Sequence, residues 1–156
     1  MVRNSKMITR IRLIAMLLPI LVVFGCGGDG NTSTVKVSQV IDGDTIVISG
    51  GQHIRYIGID APEIHPEPEY YGVEAWQTRR QSGLRKILCM EKDVSNTDKY
   101  GRLLRYIYVD GTFVNAELVR QGYARARAYP PDTKYQDYLK GMEGEAKKAS
   151  RGIWAE

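Results

Sequence analysis

The stretch Val35–Pro62, VKVSQVIDGDTIVISGGQHIRYIGIDAP, decides the fold. Val35 and Val37 alternate with polar residues, and the strand they begin runs toward Gln39–Ile41 before the turn Asp42-Gly43. Thr45–Ile48 is a short, β-branched run, Ser49-Gly50-Gly51 is a hairpin signal, and His53–Ile59 returns as a third strand. Asp60-Ala61-Pro62 ends it, because proline has no N–H to give to the ladder. A two-residue turn pairs Ile46 with Arg55, and a turn one residue longer aligns Asp42 with Asp60. Neither flat register puts Asp44, Arg55 and Asp60 on one face, since side chains alternate along a strand. A bulge or bend is therefore expected near Asp60-Ala61-Pro62.

Outward from this stretch the pattern changes. The loop His65–Gly72 is too rich in proline for regular structure and carries Glu67 and Glu69. Val73–Leu88 reads as a helix, with Glu74 in its first turn and Arg79, Arg80, Arg85 and Lys86 toward its end, the sense that suits the helix dipole. A short strand is expected near Glu91–Val94, and a clear one at Leu103–Val109, closed by Asp110-Gly111. Val114–Arg120 has helical spacing with Gly122 as its stop, and Tyr135–Ser150 is a final helix whose Tyr138, Leu139, Met142, Ala146 and Ala149 form one stripe. Gly152 stops that helix, and Ile153-Trp154 are expected to fold back onto the core. Five short strands with helices on the flanks predict a small closed β-barrel of the α+β class, for which the OB-fold is the natural candidate. One domain, residues 35–156, accounts for the body. Fold alone leaves function open.

The chain has 156 residues, with 22 Lys and Arg against 18 Asp and Glu. Four of the basic residues, Arg3, Lys6, Arg10 and Arg12, precede the first acid, Asp29, so the body is formally neutral and the positive net charge does not identify a nucleic-acid partner. Ordinary apolar content excludes wholesale disorder. Two cysteines exclude a disulfide-rich scaffold and a Cys-only zinc site. Cys89, in the apolar run KILCM, reads as a packed free thiol. His53 and His65 are too few for zinc and read as solvated. The basic start is followed by Leu13–Phe24, twelve residues without charge, shorter than the roughly 20 a permanent span needs. Residues 1–25 thus read as an export signal. Val-Phe-Gly-Cys, ending at Cys26, resembles a lipobox, whose cysteine carries lipid and becomes the mature N-terminus. A plain cleaved signal is the other reading. Residues 26–34, rich in Gly, Ser and Thr, form a tether.

Three blocks carry chemistry: Val40-Ile-Asp-Gly-Asp-Thr45, Arg55-Tyr-Ile-Gly-Ile-Asp-Ala-Pro-Glu63 and Asp98-Lys-Tyr-Gly-Arg-Leu-Leu-Arg105. Read singly, Asp44 is a turn residue, Arg55 and Arg102 are surface arginines, and Glu63 is a solvated loop acid. Together, with Asn115–Gly122 and Arg151-Gly-Ile-Trp154, they resemble the signature blocks of the staphylococcal nuclease (thermonuclease) family, in order and spacing. The resemblance implies an OB-fold barrel and a calcium-dependent nuclease acting on DNA and RNA. It assigns calcium to Asp44, Asp60 and the main-chain carbonyl of Ala61, where the family usually has threonine. It makes Glu63 the residue that holds and activates water, and Arg55 and Arg102 the phosphate-binding arginines. Tyr100 and Lys99 are substrate contacts by the same resemblance. The family's first base-flanking tyrosine is replaced by Ala128, and Tyr129 is the substitute. Lipid on Cys26 would tether a monomer to a membrane. Two other classes remain open: an OB-fold module that grips single strands without cleaving them, and a calcium-binding surface lipoprotein.

Overall fold

The computed structural model describes residues 32–63 and 87–155. The export signal, Cys26, the start of the tether, the proline-rich loop and most of the expected helix 73–88 lie outside the described residues. The described residues form eight strand segments: β1 (Thr32–Val40), β2 (Thr45–Ile48), β3 (His53–Tyr56), β4 (Ile59–Asp60), β5 (Ile87–Glu91), β6 (Leu103–Val109), β7 (Thr112–Phe113) and β8 (Arg125–Ala126). Among the same residues are two α-helices, α1 (Val114–Arg120) and α2 (Gln136–Lys148), and a 3-10 turn at Gly152–Trp154.

Five of these strands close a barrel. The order β3-β2-β1-β5-β6 is antiparallel throughout, and a parallel pairing of β3 with β6 seals it. This is the five-stranded, OB-type α+β barrel that the strand order predicts. Closure removes the open edges that would otherwise invite association. Each barrel strand turns one set of side chains inward. Ile46, Ile48, Ile54, Tyr56, Leu88, Met90, Ile107 and Val109 are buried together, and Leu118, Val119 and Leu139 of the two helices close one end.

The structure corrects several boundaries. β1 begins at Thr32, so Thr32, Ser33 and Thr34 pair with Glu91, Met90 and Cys89 instead of belonging to the tether. Polar composition hid a strand whose stability comes from its partner. β5 runs from Ile87 to Glu91, starting four residues and ending three residues before the strand expected at Glu91–Val94, and Ile87-Leu88 belong to it and not to the helix. Leu88 and Met90 are buried while Ile87 is exposed, an alternation that the continuous apolar run conceals. Cys89 is disulfide-bonded, not a free thiol. The chain's other cysteine is Cys26.

The hairpin register also differs from both expected alignments. Thr45 faces Arg55 and Val47 faces His53, with Ile48 N–H bonded to Gln52 O across a three-residue loop. The break in the third strand falls at Ile57-Gly58, earlier than the bend expected at Asp60-Ala61-Pro62. Gly58 has φ +78°, and a Cβ there would lie 2.5 Å from Leu139 Cδ1. Only glycine meets both demands at once. The break lets β4 leave the barrel and pair with β8, Asp60 opposite Arg125.

Asn115 fixes this break from inside. It is wholly buried, donates from Nδ2 to Ile57 O at 2.8 Å, and accepts from Ile107 N–H at 3.0 Å. The C-terminal turn is held similarly. Ile153 N–H donates to Gly122 O at 2.9 Å, and a Cβ on Gly122 would sit 2.1 Å from Arg151 O. The cationic ends of Arg125 (4.9 Å) and Lys147 (4.4 Å) both lie over the electron-rich Trp154 ring, a favourable arrangement. No helix among the described residues is long and apolar enough to cross a membrane.

Candidate active site

The site begins in the turn between β1 and β2. Asp42 Oδ1 accepts from Asp44 N–H at 2.9 Å, an Asx turn that reverses the chain in three residues. Tyr56 N–H donates to Asp44 O at 2.9 Å and ties this turn to β3. The reversal leaves both acids inside: Asp42 is 8% and Asp44 2% exposed. Burial pushes the Asp42 carboxyl above its ordinary value, against the pull of Arg55 and the hydrogen bonds of Thr45.

A buried carboxylate needs partners. Asp44 Oδ1 accepts from Thr45 Oγ1 at 3.1 Å, and Oδ2 accepts from Ala61 N–H at 2.7 Å and meets Arg55 Nη1. The other arm of that guanidinium, Arg55 Nη2, donates to Asp60 Oδ1 at 2.9 Å. One planar fork therefore brackets two carboxylates from different strands, Asp44 before β2 and Asp60 in β4. The Gly58 break makes this possible, because a continuous β3 would carry Asp60 away along the barrel. A second guanidinium, Arg127, donates from Nη1 to Asp60 Oδ2 at 3.0 Å.

Arg102 reaches the same region through the parallel pairing of β3 and β6, which sets Ile54 beside Leu103 and Arg55 beside Leu104. Asp98 aims it. Its Oδ2 accepts from Arg102 Nε at 2.7 Å, and its Oδ1 accepts the N–H groups of Tyr100 (2.9 Å) and Arg102 (3.0 Å). Burial by itself raises the Asp98 carboxyl, but those hydrogen bonds outweigh it and hold the group below the ordinary carboxylate range. With Nε engaged, the Nη groups of Arg102 are left for a ligand.

A cleft of about 410 Å³ lies here, lined by Arg55, Tyr56, Ile57, Asp98, Lys99, Tyr100, Arg102, Leu104, Tyr129 and Asp132. Tyr100 is 72% exposed and Tyr129 41%, so both rings offer a face to a base. Of the residues singled out in the sequence, Arg55, Arg102, Lys99, Tyr100 and Tyr129 share this cleft, and Asp44, Asp60 and Ala61 adjoin it through Arg55. Glu63 is exposed, follows Pro62, and is absent from the cleft's described lining. Asp42, Asp98 and Arg127 were not given roles by sequence reasoning. Asp42 and Asp98 stand two and four residues before the candidate residues Asp44 and Arg102, the spacing of an Asx turn and of a charged pair closing a loop. Arg127 carries no such local signal.

Among the described residues no three His, Cys, Asp or Glu converge into a metal cage. Asp44 and Asp60 do converge, both on the same cationic group, and they are hard oxygen donors. Calcium takes roughly six to eight oxygens and accepts carbonyls and waters for those that carboxylates do not supply. The donor set fits a calcium ion held by two carboxylates, with Ala61 adjacent.

Comparison with known proteins agrees with this geometry. The family model described as "Staphylococcal nuclease homologue" matches residues 53–156, from β3 to the C-terminus. A thermonuclease of Staphylococcus hyicus is 35% identical over 81% of this chain and 79% of its own length. A thermonuclease of Staphylococcus intermedius is 33% identical over 96% of this chain and 98% of its own. The endonuclease YncB of Bacillus subtilis (strain 168) is 40% identical over 78% of this chain and 61% of its own. Matched by the family model over most of its length and by a thermonuclease over nearly all of it, the chain belongs to the staphylococcal nuclease family.

Proposed function

We propose that the protein is a calcium-dependent nuclease that hydrolyses phosphodiester bonds of DNA and RNA alike, leaving 3′-phosphate products. It acts outside the cytoplasm as a monomer, tethered to a membrane by lipid on Cys26 or secreted if that cysteine carries no lipid. One observation carries the catalytic reading: the Arg55 fork bridges Asp44 and Asp60 at the edge of a cleft that also holds Arg102. Hydrolysis of a phosphodiester adds charge to the equatorial oxygens, needs a nucleophilic water and needs help for the departing oxygen. Asp44, Asp60 and the Ala61 carbonyl would hold calcium, which supplies charge neutralisation at the phosphate. With both carboxylates given to a cation, the two Nη groups of Arg55 are released for phosphate oxygens, and the Arg102 Nη groups approach from β6. Planar guanidinium forks suit that bidentate task. Glu63, exposed beyond Pro62, orients the attacking water and takes its proton. Tyr100 and Tyr129 stack bases and Lys99 meets the backbone, contacts that do not depend on the sugar.

The test is hydrolysis of single-stranded DNA and RNA by the purified protein, with calcium and then with EGTA, beside Glu63→Ala. Cleavage that needs calcium and falls by about 10²–10⁴ in the variant is expected for loss of a general base. Cleavage in EGTA removes calcium from the reading. No cleavage by folded, calcium-saturated protein replaces the enzyme with a strand-binding module.

The basic, apolar and small-residue order of residues 1–25 supports export. The disulfide on Cys89 favours a second reading of the anchor. In a chain with one other cysteine, a thioether-linked Cys26 has no thiol to give, so lipid and an intrachain disulfide are alternatives. Mass spectrometry of the mature protein separates them: diacylglycerol on Cys26, or a Cys26–Cys89 peptide pair and a secreted product.

A further inference from the structure

We infer that Arg127 is a third substrate-phosphate arginine, parked on Asp60 until a divalent cation takes its place. The inference rests on the calcium reading above. Three observations support it. Arg127 Nη1 donates to Asp60 Oδ2 at 3.0 Å, on the oxygen opposite the one that Arg55 holds. Its Cζ lies 5.6 Å from the centre of the Tyr129 ring, which lines the cleft, so the head sits between the carboxylate and the path of a strand. Its side chain is 61% exposed, whereas Arg55 is 13% exposed.

The difference in exposure separates the two arginines. Arg55 is built into the barrel wall and organises both carboxylates. Arg127 is held by one exposed ion pair and one ring contact, each of which gives way at little cost. Its main chain stays fixed, because Arg127 N–H donates to Gly58 O at 2.9 Å. The guanidinium thus swings about a rigid point. A cation drawing on both Asp60 oxygens displaces it, and the nearest anion it then meets is the phosphate of a strand stacked on Tyr129. Cation and substrate are coupled through this one side chain: Arg127 opposes the cation and assists the strand.

This predicts effects of opposite sign in Arg127→Ala. Calorimetric titration with calcium alone, no nucleic acid present, is expected to show about two- to fivefold tighter binding, because no ion pair has to be broken. At saturating calcium, KM for a single-stranded oligonucleotide is expected to rise about three- to tenfold with kcat within twofold. The slope of log affinity against log salt should become shallower by about 0.7, one phosphate contact on a single strand. A purely structural arginine would weaken both cation and strand or neither. Calcium binding to wild type with equal or weaker binding to the variant overturns this inference and leaves the calcium reading intact. No calcium binding to wild type overturns both.

Discussion

Asn115→Ala is the sharpest test of how the barrel holds its site. The side chain is wholly buried and satisfies two main-chain groups that have no access to water, Ile57 O at 2.8 Å and Ile107 N–H at 3.0 Å. Truncation orphans both. Each buried unsatisfied group costs about 1–3 kcal/mol, so the loss is about 3 kcal/mol after partial relaxation, a large share of the roughly 5–15 kcal/mol of a typical domain. With a guanidinium m value of about 3 kcal/mol/M, the unfolding midpoint falls by about 1 M. Asn115→Asp sharpens the test. Aspartate still accepts from Ile107 but sets a carboxylate oxygen against the Ile57 carbonyl. Its pKa in the folded state is raised, so its stability is present at low pH and lost as pH rises through that value. The aspartate variant should therefore recover stability on acidification relative to alanine. A midpoint shift under about 0.2 M for Asn115→Ala, with m unchanged, refutes the claim that this amide holds the Ile57-Gly58 break.

Three further outcomes follow from the same geometry. Arg55→Met leaves Asp44 buried without its guanidinium and should cost about 3–5 kcal/mol by denaturant titration; a cost under about 1 kcal/mol would mean the fork does not hold the carboxylates. Gly58→Ala combines a left-handed backbone with a Cβ 2.5 Å from Leu139 Cδ1 and should lose about 2–4 kcal/mol, read as a fall in Tm; an unchanged Tm would show that Leu139 simply moves aside. The depressed Asp98 carboxyl contributes stability that is present above the ordinary value of 3.8 and lost as pH falls through its lower folded value. The stability gap between wild type and Asp98→Asn should accordingly narrow toward pH 3, and a gap independent of pH would refute the pairing with Arg102.

The barrel was legible because its information is local. Alternation in β1, the β-branched run of β2, the Gly-Gly loop and Asp110-Gly111 each act over a few residues, and Leu103–Val109 and both helices stand where their patterns place them. What escaped depends on distant partners. Thr32–Thr34 are strand only because β5 lies beside them. The break at Gly58 is held by Asn115 and kept free of a side chain by Leu139, both remote in sequence, while the nearby Pro62 gave a louder signal in the wrong place. The site divides the same way. Asp44, Arg55, Asp60 and Arg102 belong to dense local blocks and are brought together. Arg127 lies in an arginine-alanine run with nothing to mark it, and its contact with Asp60 spans 67 residues.

The charges of this site also constrain how mutational data on it can be interpreted. Asp42 and Asp44 are buried and Asp60 is partly so, and buried carboxylates cannot be left unpaired without large cost. Arg55 pairs with both Asp44 and Asp60, and Arg127 pairs with Asp60 from the solvent side. The guanidiniums therefore stabilise the carboxylates themselves, apart from the phosphate contacts proposed for them. On the mechanism proposed above, a fall in activity of an Arg55 variant would mix lost folding, altered cation affinity and lost phosphate contact. Only the last persists when calcium is saturating and the protein is fully folded. At that limit the surviving loss in kcat/KM measures the transition-state contact of Arg55. A loss that vanishes there would assign Arg55 to holding the carboxylates and leave phosphate recognition to Arg102 and Arg127.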